Sequence, residues 1–423
     1  MGDGGAAIFP AAPVRIRNND VEHAYRQDSD LYYLTGFEEP HSVLIVTGAH
    51  EEHQTVLFVQ PRDPAREIWD GPRLGTEGVV RELGVDAAFP IAELAERLPA
   101  YLEGVESLHY PVGDSHPFDG KLFAAVRAAR QRGRRSGRPF PTTYVGPLHG
   151  VHEMRLKKDE AELEAMRAAA AVTAQAHRRA MVVARPGMHE YEVQAEMDRI
   201  FRASGCERTA YDSIVGSGPN ATILHYRSNR RLMAEGDLLL IDAGCELDYY
   251  ASDVTRTFPV SGHFTEPQRV LYQLCLDSQL AAIEATKPGA TLDVIHEAAA
   301  RVIGAGLLEL GLVQGTLDEV MEDQRYKDFF MHKTSHWIGM DVHDVGAYFA
   351  DGEPRPLESS MVLTIEPGIY VATDAEVDEK WRGIGIRIED DILVTEAGHE
   401  NLTQAIPKTI DDIESLMGER RAA

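Results

Sequence analysis

The stretch FFMHKTSHWIGMDVHDVG, residues 329–346, gathers His332, His336 and His343, with Asp341 and Asp344 beside the last. Imidazoles at this density serve a metal, a proton relay, or merely a hydrogen-bonded loop. His332 and His336 stand four apart, as in the zinc-protease helix, but that motif needs Glu after the first histidine, and Lys333 occupies the place. Gly339, Gly346 and the β-branched Thr334, Ile338 and Val342 speak against a stable helix here. A serine triad has no support, because no Gly-x-Ser-x-Gly turn accompanies these residues.

Carboxylates narrow the choice. Alternate residues of a strand share a face, so DLLLID aligns Leu238, Leu240 and Asp242. In the same way MVLTIEPG aligns Val362, Thr364 and Glu366, GIRIED aligns Arg387 with Glu389, and ASDVTRTF aligns Asp253 with Thr255 and Thr257. Four strand-like segments of core composition each deliver one acid. An ionised carboxylate buried without a partner costs several kcal/mol, and Arg387, the obvious cation nearby, cannot neutralise four. Two divalent cations balance four negative charges, and one neutral imidazole completes a coordination shell without changing the sum. One histidine of 329–346 is therefore expected as a nitrogen ligand, the others serving substrate.

The elements that position these groups show a repeat. KKDEAELEAMRAAAAVTAQAHRRAMVVA (157–184) predicts a long helix closed by Arg185-Pro186-Gly187, and HEYEVQAEMDRIFRASG predicts a second. About a hundred residues on, a helix over 266–285 closes on Lys287-Pro288-Gly289, and ATLDVIHEAAARVIGAGLLELG opens the next. Each helix pair precedes acid-bearing strands, so the chain after residue 150 reads as two copies of one α+β unit whose sheets join around a site. Residues 1–150 read as a separate α/β domain: HSVLIVTG and QTVLFVQP predict neighbouring strands, AAFPIAELAERLPAYL and DGKLFAAVRAARQRGRRSG predict helices, and the basic run 131–139 predicts a solvated connector.

At 423 residues the chain is too long for one ordinary core. Its 42 basic and 68 acidic side chains, a net charge of −26, repel phosphate backbones and anionic lipid, so neither nucleic acid nor membrane is an expected partner. Cys206, Cys245 and Cys275 are too few and scattered for a disulfide framework. With no signal-like start and no apolar run of membrane-spanning length, a cytoplasmic protein is expected.

The series LLLIDAG, ASDVTRTFPV, MHKTSHWIGMDVHDVG, MVLTIEPGIY and GIGIRIEDDILVTEAG resembles the metal-dependent Xaa-Pro aminopeptidases (aminopeptidase P) of the pita-bread fold, and ILHY (223–226) and YRQDSDLYYLTGFEEP (25–40) extend the likeness toward the N-terminus. The resemblance implies an α/β N-terminal domain (1–150) for oligomerisation and site closure. It implies an α+β pita-bread catalytic domain (151–423) with an internal pseudo-two-fold repeat. Its implied metal ligands are Asp242, Asp253, His336, Glu366 and Glu389, with Asp253 and Glu389 bridging two ions. Oxygen-rich ligation with one imidazole favours two Mn2+, with Co2+ or Zn2+ able to occupy the same ligands.

By the same resemblance, a hydroxide held between the metals attacks the N-terminal Xaa-Pro bond, and Glu366 is general base and proton donor. His343 would bond the oxyanion or substrate carbonyl, while His225 and His332 line the proline pocket, His225 also shuttling protons. Arg387 would orient Glu389, and Tyr370 would line the site. Peptides with proline second are the implied substrates, and a homodimer or homotetramer the implied assembly, with Asp20 and Trp69 candidates for closing a neighbour's site. Relatives often carry one more helix before the strand matching GGAAIFPAAP, so a shortened start is expected, and Lys333 and Thr334 stand where small or apolar residues also occur. A prolidase would use the same ligands, a methionine aminopeptidase would not need the first 150 residues, and creatinase-like hydrolases and non-catalytic binding proteins of this fold lack the ligand set that is complete here.

Overall fold

The computed structural model describes residues 2, 4–113, 118–146 and 150–419. The chain divides into two compact units, Met1–His152 and Glu153–Ala423.

In the first unit, strands β1 (Gly5–Pro10), β2 (Val43–Thr47), β3 (Thr55–Val59), β4 (Ala87–Pro90), β5 (Ser107–His109) and β6 (Thr143–Val145) form one sheet in the order β4-β3-β2-β1-β5-β6. The β1–β2 and β2–β3 pairs are antiparallel, and the three outer pairs are parallel. Both faces are buried, which is why these strands read as continuous apolar runs. Ala6, Ile8, Val43, Ile45, Val56 and Phe58 enter one core, while Ala7, Phe9, Leu44, Leu57 and Val59 enter another. Two expectations fail here. AAFPIAELAERLPAYL splits into β4 and helix α1 (Leu94–Tyr101), because Ala87–Pro90 completes the sheet beside β3 and Pro90 ends it. The basic run is not a connector: it forms the last turns of α2 (Asp119–Ser136), where Arg134 and Arg135 lie at the negative end of the helix and Gly137 (φ 75°) caps it.

The second unit contains the expected repeat. Helices α3 (Glu160–Val183) and α4 (Glu190–Ala203) precede a sheet in the order β7 (Ile214–Ser217), β8 (Leu238–Asp242), β10 (Thr255–Pro259), with β9 (Cys245–Leu247) folding back between β8 and β10 in sequence. Helices α5 (Glu266–Ala285) and α6 (Leu292–Glu309) precede β13 (Val362–Ile365), β16 (Asp390–Thr395) and β17 (Gly398–Asn401), which pair in that order. Between them come the small hairpin β11 (Phe349–Ala350) and β12 (Glu353–Pro354), and the pair β14 (Gly368–Tyr370) and β15 (Gly385–Arg387). Helix α7 (Ile410–Glu419) follows. The two Pro-Gly turns are alike in detail. Gly187 (φ 86°) and Gly289 (φ 83°) adopt the left-handed conformation that glycine tolerates, and each donates its N–H at 2.8 Å to a later carbonyl, of Met233 and of Leu357.

The two halves join where β10 meets the segment around β15. Glu389 N–H donates to Thr255 O at 3.0 Å, and Thr257 Oγ1 exchanges hydrogen bonds with the Arg387 main chain. Beside this seam Arg256 and Asp390, both fully buried, pair at 2.7 Å, and Lys408 reaches the other Asp390 oxygen at 2.7 Å. Helix α3 packs through small residues, Ala169, Ala176 and Ala180, and through the buried His177, whose Nε2 meets Ala243 O at 2.9 Å. A close approach follows Ala243: a Cβ on Gly244 would lie 1.7 Å from Ser252 O.

Two tests address this scaffold. Burial holds His177 down to about 4, below its unfolded value near 6.5, so the unfolded chain takes up a proton that the native state refuses. Its contribution is complete above pH 6.5 and declines as pH falls toward 4, by about 3 kcal/mol in all. Urea unfolding midpoints measured across that window should fall more steeply for the wild-type chain than for His177→Gln. Gly244→Ala should lower the thermal midpoint by the equivalent of about 3 kcal/mol, because Ser252 must move.

Candidate metal centre

The acids reach one place because each sits where a strand stops. Asp242 is the last residue of β8, opposite Thr255 of β10 and Ile214 of β7. Asp253 lies two residues before β10, in the return that Gly244 permits, and its N–H donates to Asp391 Oδ2 at 3.1 Å. Glu366 follows β13, its N–H bonded to Thr334 O at 2.8 Å, and Pro367 then ends the ladder. Glu389 occupies the step between β15 and β16. The alternating-row expectation therefore holds for Asp242 alone. Asp253, Glu366 and Glu389 leave the strand rows, and the break in regular pairing is what lets them turn toward a common point.

His336 comes from irregular chain, not helix, as 329–346 led us to expect. Its main chain runs beside β13, accepting from Thr364 N–H at 3.0 Å. His336 Nδ1 lies 3.0 Å from Trp337 O, which accepts its proton and leaves Nε2 facing the acids, 3.4 Å from Asp253 Oδ2 and 3.6 Å from Glu366 Oε1. One ligating atom from each of Asp253, His336 and Glu389 lies within 4.8 Å of the others.

The electrostatics are those of an anion cluster withdrawn from water. Burial, reinforced by the neighbouring acids, holds Glu389 well above the carboxylate range. Burial likewise raises Asp242 against the pull of Arg387, and lifts Glu366 to about 7. Asp253 runs the other way: burial pushes it up, but the hydrogen bond and charge of His336 outweigh that and hold it low. His336 is drawn up to about 9, Asp253 and Glu366 overcoming its burial. Four carboxylates thus face one guanidinium, and the cluster attracts protons wherever it can. Hard divalent cations compete for the same oxygens, and an oxygen-rich set with one imidazole suits them. The donor set fits a metal pair.

The side chains around these five depend on tertiary contacts that sequence patterns do not carry. Arg387 was expected to orient Glu389. Its Nη2 instead pairs with Asp242 Oδ2 at 2.5 Å, and its Nε donates at 3.0 Å to Thr255 Oγ1, which itself donates to Glu389 Oε2 at 2.6 Å. The link to Glu389 runs through Thr255. Tyr370 does not line the cavity: it is buried behind it, its hydroxyl between His332 Nε2 and Arg387 Nη1, at 2.9 Å from each. Tyr211 belongs to no motif in the sequence, yet its hydroxyl reaches both Asp242 Oδ1 and Asp253 Oδ1. Its sequence signal is its place at the head of YDSIVGS, three residues before β7, the strand that flanks β8.

A cavity of about 460 Å3 opens over the cluster, and His225, His332, His343 and Arg387, each singled out from sequence, line it. His343 sets its ring edge-on to His336, centroids 4.4 Å apart. His332 is kept neutral, burial and then Arg387 pressing it down to about 3, and its Nδ1 lies 3.9 Å from Glu366 Oε2. His225 lines the same cavity beside Leu224. The loop carrying His343 is pinned by buried charge, Asp344 pairing with Arg155 at 2.6 Å and with Lys158 at 3.0 Å. Asp20 and Trp69 lie elsewhere, in the first unit, both exposed.

Comparison with known proteins bears on the family and the fold. The profile of metallopeptidase family M24 matches residues 164–396, and that of the aminopeptidase P N-terminal domain matches residues 1–109. The Xaa-Pro aminopeptidase of Escherichia coli (strain K12) is 44% identical over 418 residues, covering 99% of this chain and 94% of the relative. The structure of Pseudomonas aeruginosa aminopeptidase PepP superimposes with a TM-score of 0.97 at 48% identity, covering 100% of this chain and 96% of that one. A zinc-substituted Escherichia coli aminopeptidase P in complex with product gives 0.95 at 44% identity, again covering 100% and 96%. These matches confirm the pita-bread fold with its N-terminal domain. The chain belongs to metallopeptidase family M24, among the Xaa-Pro aminopeptidases.

Proposed function

We propose that this chain removes the first residue from peptides whose second residue is proline, and that Asp242, Asp253, His336, Glu366 and Glu389 hold two divalent metals for the purpose. The observation that carries this reading is the convergence of four buried or half-buried carboxylates and one imidazole in one cavity, with the Arg387 guanidinium paired to Asp242 among them. When bound, such a pair supplies Lewis acidity toward a peptide carbonyl and acidifies water enough to make a nucleophile near neutral pH. Manganese is the proposed occupant, in keeping with the oxygen-rich donors.

The chain's own residues do the rest. Glu366 faces two ways, Oε1 toward His336 and Oε2 toward His332, so it can take a proton from the attacking water and return it to the departing proline nitrogen. His343, at the cavity edge, donates to the oxyanion or the substrate carbonyl. His332, neutral and braced by the Tyr370 hydroxyl, gives the proline ring a rigid wall, and His225 adds a second. That wall suits a residue without an N–H, whose ring obstructs enzymes that bind substrate as a hydrogen-bonded strand. Arg387 and Tyr211 hold the acids in place from behind. We further propose that the N-terminal domain, residues 1–150, mediates a dimer or tetramer in which Asp20 and Trp69 help close a neighbour's site, and that residues 151–423 form the catalytic domain. A cytoplasmic setting is proposed from the three cysteines, all free and buried. Among the described residues no helix is long and apolar enough to cross a membrane.

Stripping metal with a chelator should abolish hydrolysis of Xaa-Pro-Pro peptides, and restoring Mn2+ should recover it, with Xaa-Ala-Ala cleaved poorly throughout. Hydrolysis confined to Xaa-Pro dipeptides would instead mark a prolidase. Glu366→Gln should lower kcat by about a thousandfold or more, measured by release of the first residue. Tyr211→Phe removes a hydroxyl from Asp242 and Asp253 and should weaken metal binding by about tenfold, read by competition with a chromogenic chelator.

A further inference from the structure

Next to the catalytic cavity lies a second one, of about 390 Å3, and the two share a wall made by Lys333 and Ser335. Three elements build it. Leu292 and His296, one turn apart on α6, give one side. The hairpin gives another: Phe349 of β11 stands directly opposite Pro354 of β12, so both project from one face. The floor is fixed rather than loose. Thr334 Oγ1 is bonded to His296 Nδ1 at 2.8 Å, and the Tyr348 ring stacks on the buried Trp337 at 5.6 Å between centroids and 11° between planes. The Thr334 hydroxyl and the His296 ring satisfy each other within the floor, and the charged groups Lys333 and Asp293 stand 3.7 Å apart in solvent.

Phe349 leaves 61% of its surface in water and Tyr348 leaves 42%, adjacent aromatic residues lining an apolar hollow. Such exposure on ordered elements marks a place where an apolar group is received. The hollow begins at Lys333, the residue after His332, and His332 is the wall assigned above to the proline ring. A peptide running on past proline advances about 3.3 Å per residue and so passes the shared wall at its next side chain.

We propose that this second cavity is a specificity subsite for the residue that follows proline in the substrate, and that it takes a large apolar or aromatic side chain. The assignment rests on the Xaa-Pro hydrolysis proposed above and adds to it a preference at the third position. Phe349 and Leu292 are its specificity-determining residues, and neither touches the metal cluster. An occupied aromatic site of this size discriminates against glycine by about tenfold or more.

The test uses the full chain loaded with Mn2+ and three peptides: Ala-Pro-Phe-Gly amide, Ala-Pro-Gly-Gly amide and the dipeptide Ala-Pro. The wild-type chain should cleave the phenylalanine peptide with kcat/KM about tenfold above the glycine peptide. In Phe349→Asp, and in Leu292→Asn as an independent variant, that ratio should fall to about two or less while cleavage of the glycine peptide stays within about twofold of wild type. Equal, measurable rates for the two tetrapeptides, or a preference that survives both variants, would overturn the subsite while leaving the aminopeptidase reading intact, and cleavage of Ala-Pro alone would mark a prolidase and overturn both. No cleavage of any of the three would overturn both.

Discussion

Everything in the second unit is arranged around one cost, that of bringing Asp242, Asp253, Glu366 and Glu389 together out of bulk water. Like charges at this spacing repel, and burial removes the solvent that would screen them. The fold supplies only partial relief from its own side chains: Arg387 to Asp242, Thr255 to Glu389, and Tyr211 shared between two acids. What remains uncompensated is a demand for positive charge, met by protons on His336, Glu366 and Glu389 or by metal. The site is best understood as a competition between those two occupants.

Rigidity around the cluster follows from the same cost. Groups that repel must be held by something stronger than their own contacts, and the holding is done away from the acids. Arg256, Asp390 and Lys408 form a buried charged rivet at the seam between the halves, and Arg155, Lys158 and Asp344 form another behind the loop of His343. A buried ion pair is a poor source of net stability, but breaking one is costly, so such pairs fix register well.

Much of this was legible in the sequence because the strongest signals were chemical. Acids ending greasy segments, a short run rich in histidine, and a helix, Pro-Gly, helix phrase used twice gave the repeat, the cluster and the family likeness. What stayed hidden depended on tertiary contact. No pattern distinguishes Tyr211 from any other tyrosine in a polar stretch, and the alternation that pairs Arg387 with Glu389 breaks because β15 ends at Arg387, whose guanidinium reaches Asp242 at the end of β8. Tyr370 looked like a lining residue because it lies near Glu366 in sequence, but β14 carries its ring behind His332. Ala87–Pro90 was misread because sheet completion beside β3 outweighed an apolar pattern that suits a helix equally well.

The two Pro-Gly turns match not only in wording but in backbone angle and in the partner each amide finds. The first half carries Asp242 and Asp253, and the second carries His336, Glu366 and Glu389, so neither half encloses the charge by itself. Closing the seam along β10 and β15 is therefore the step that creates the enclosure, and anything that parts the two halves there disperses the ligands without altering any one of them.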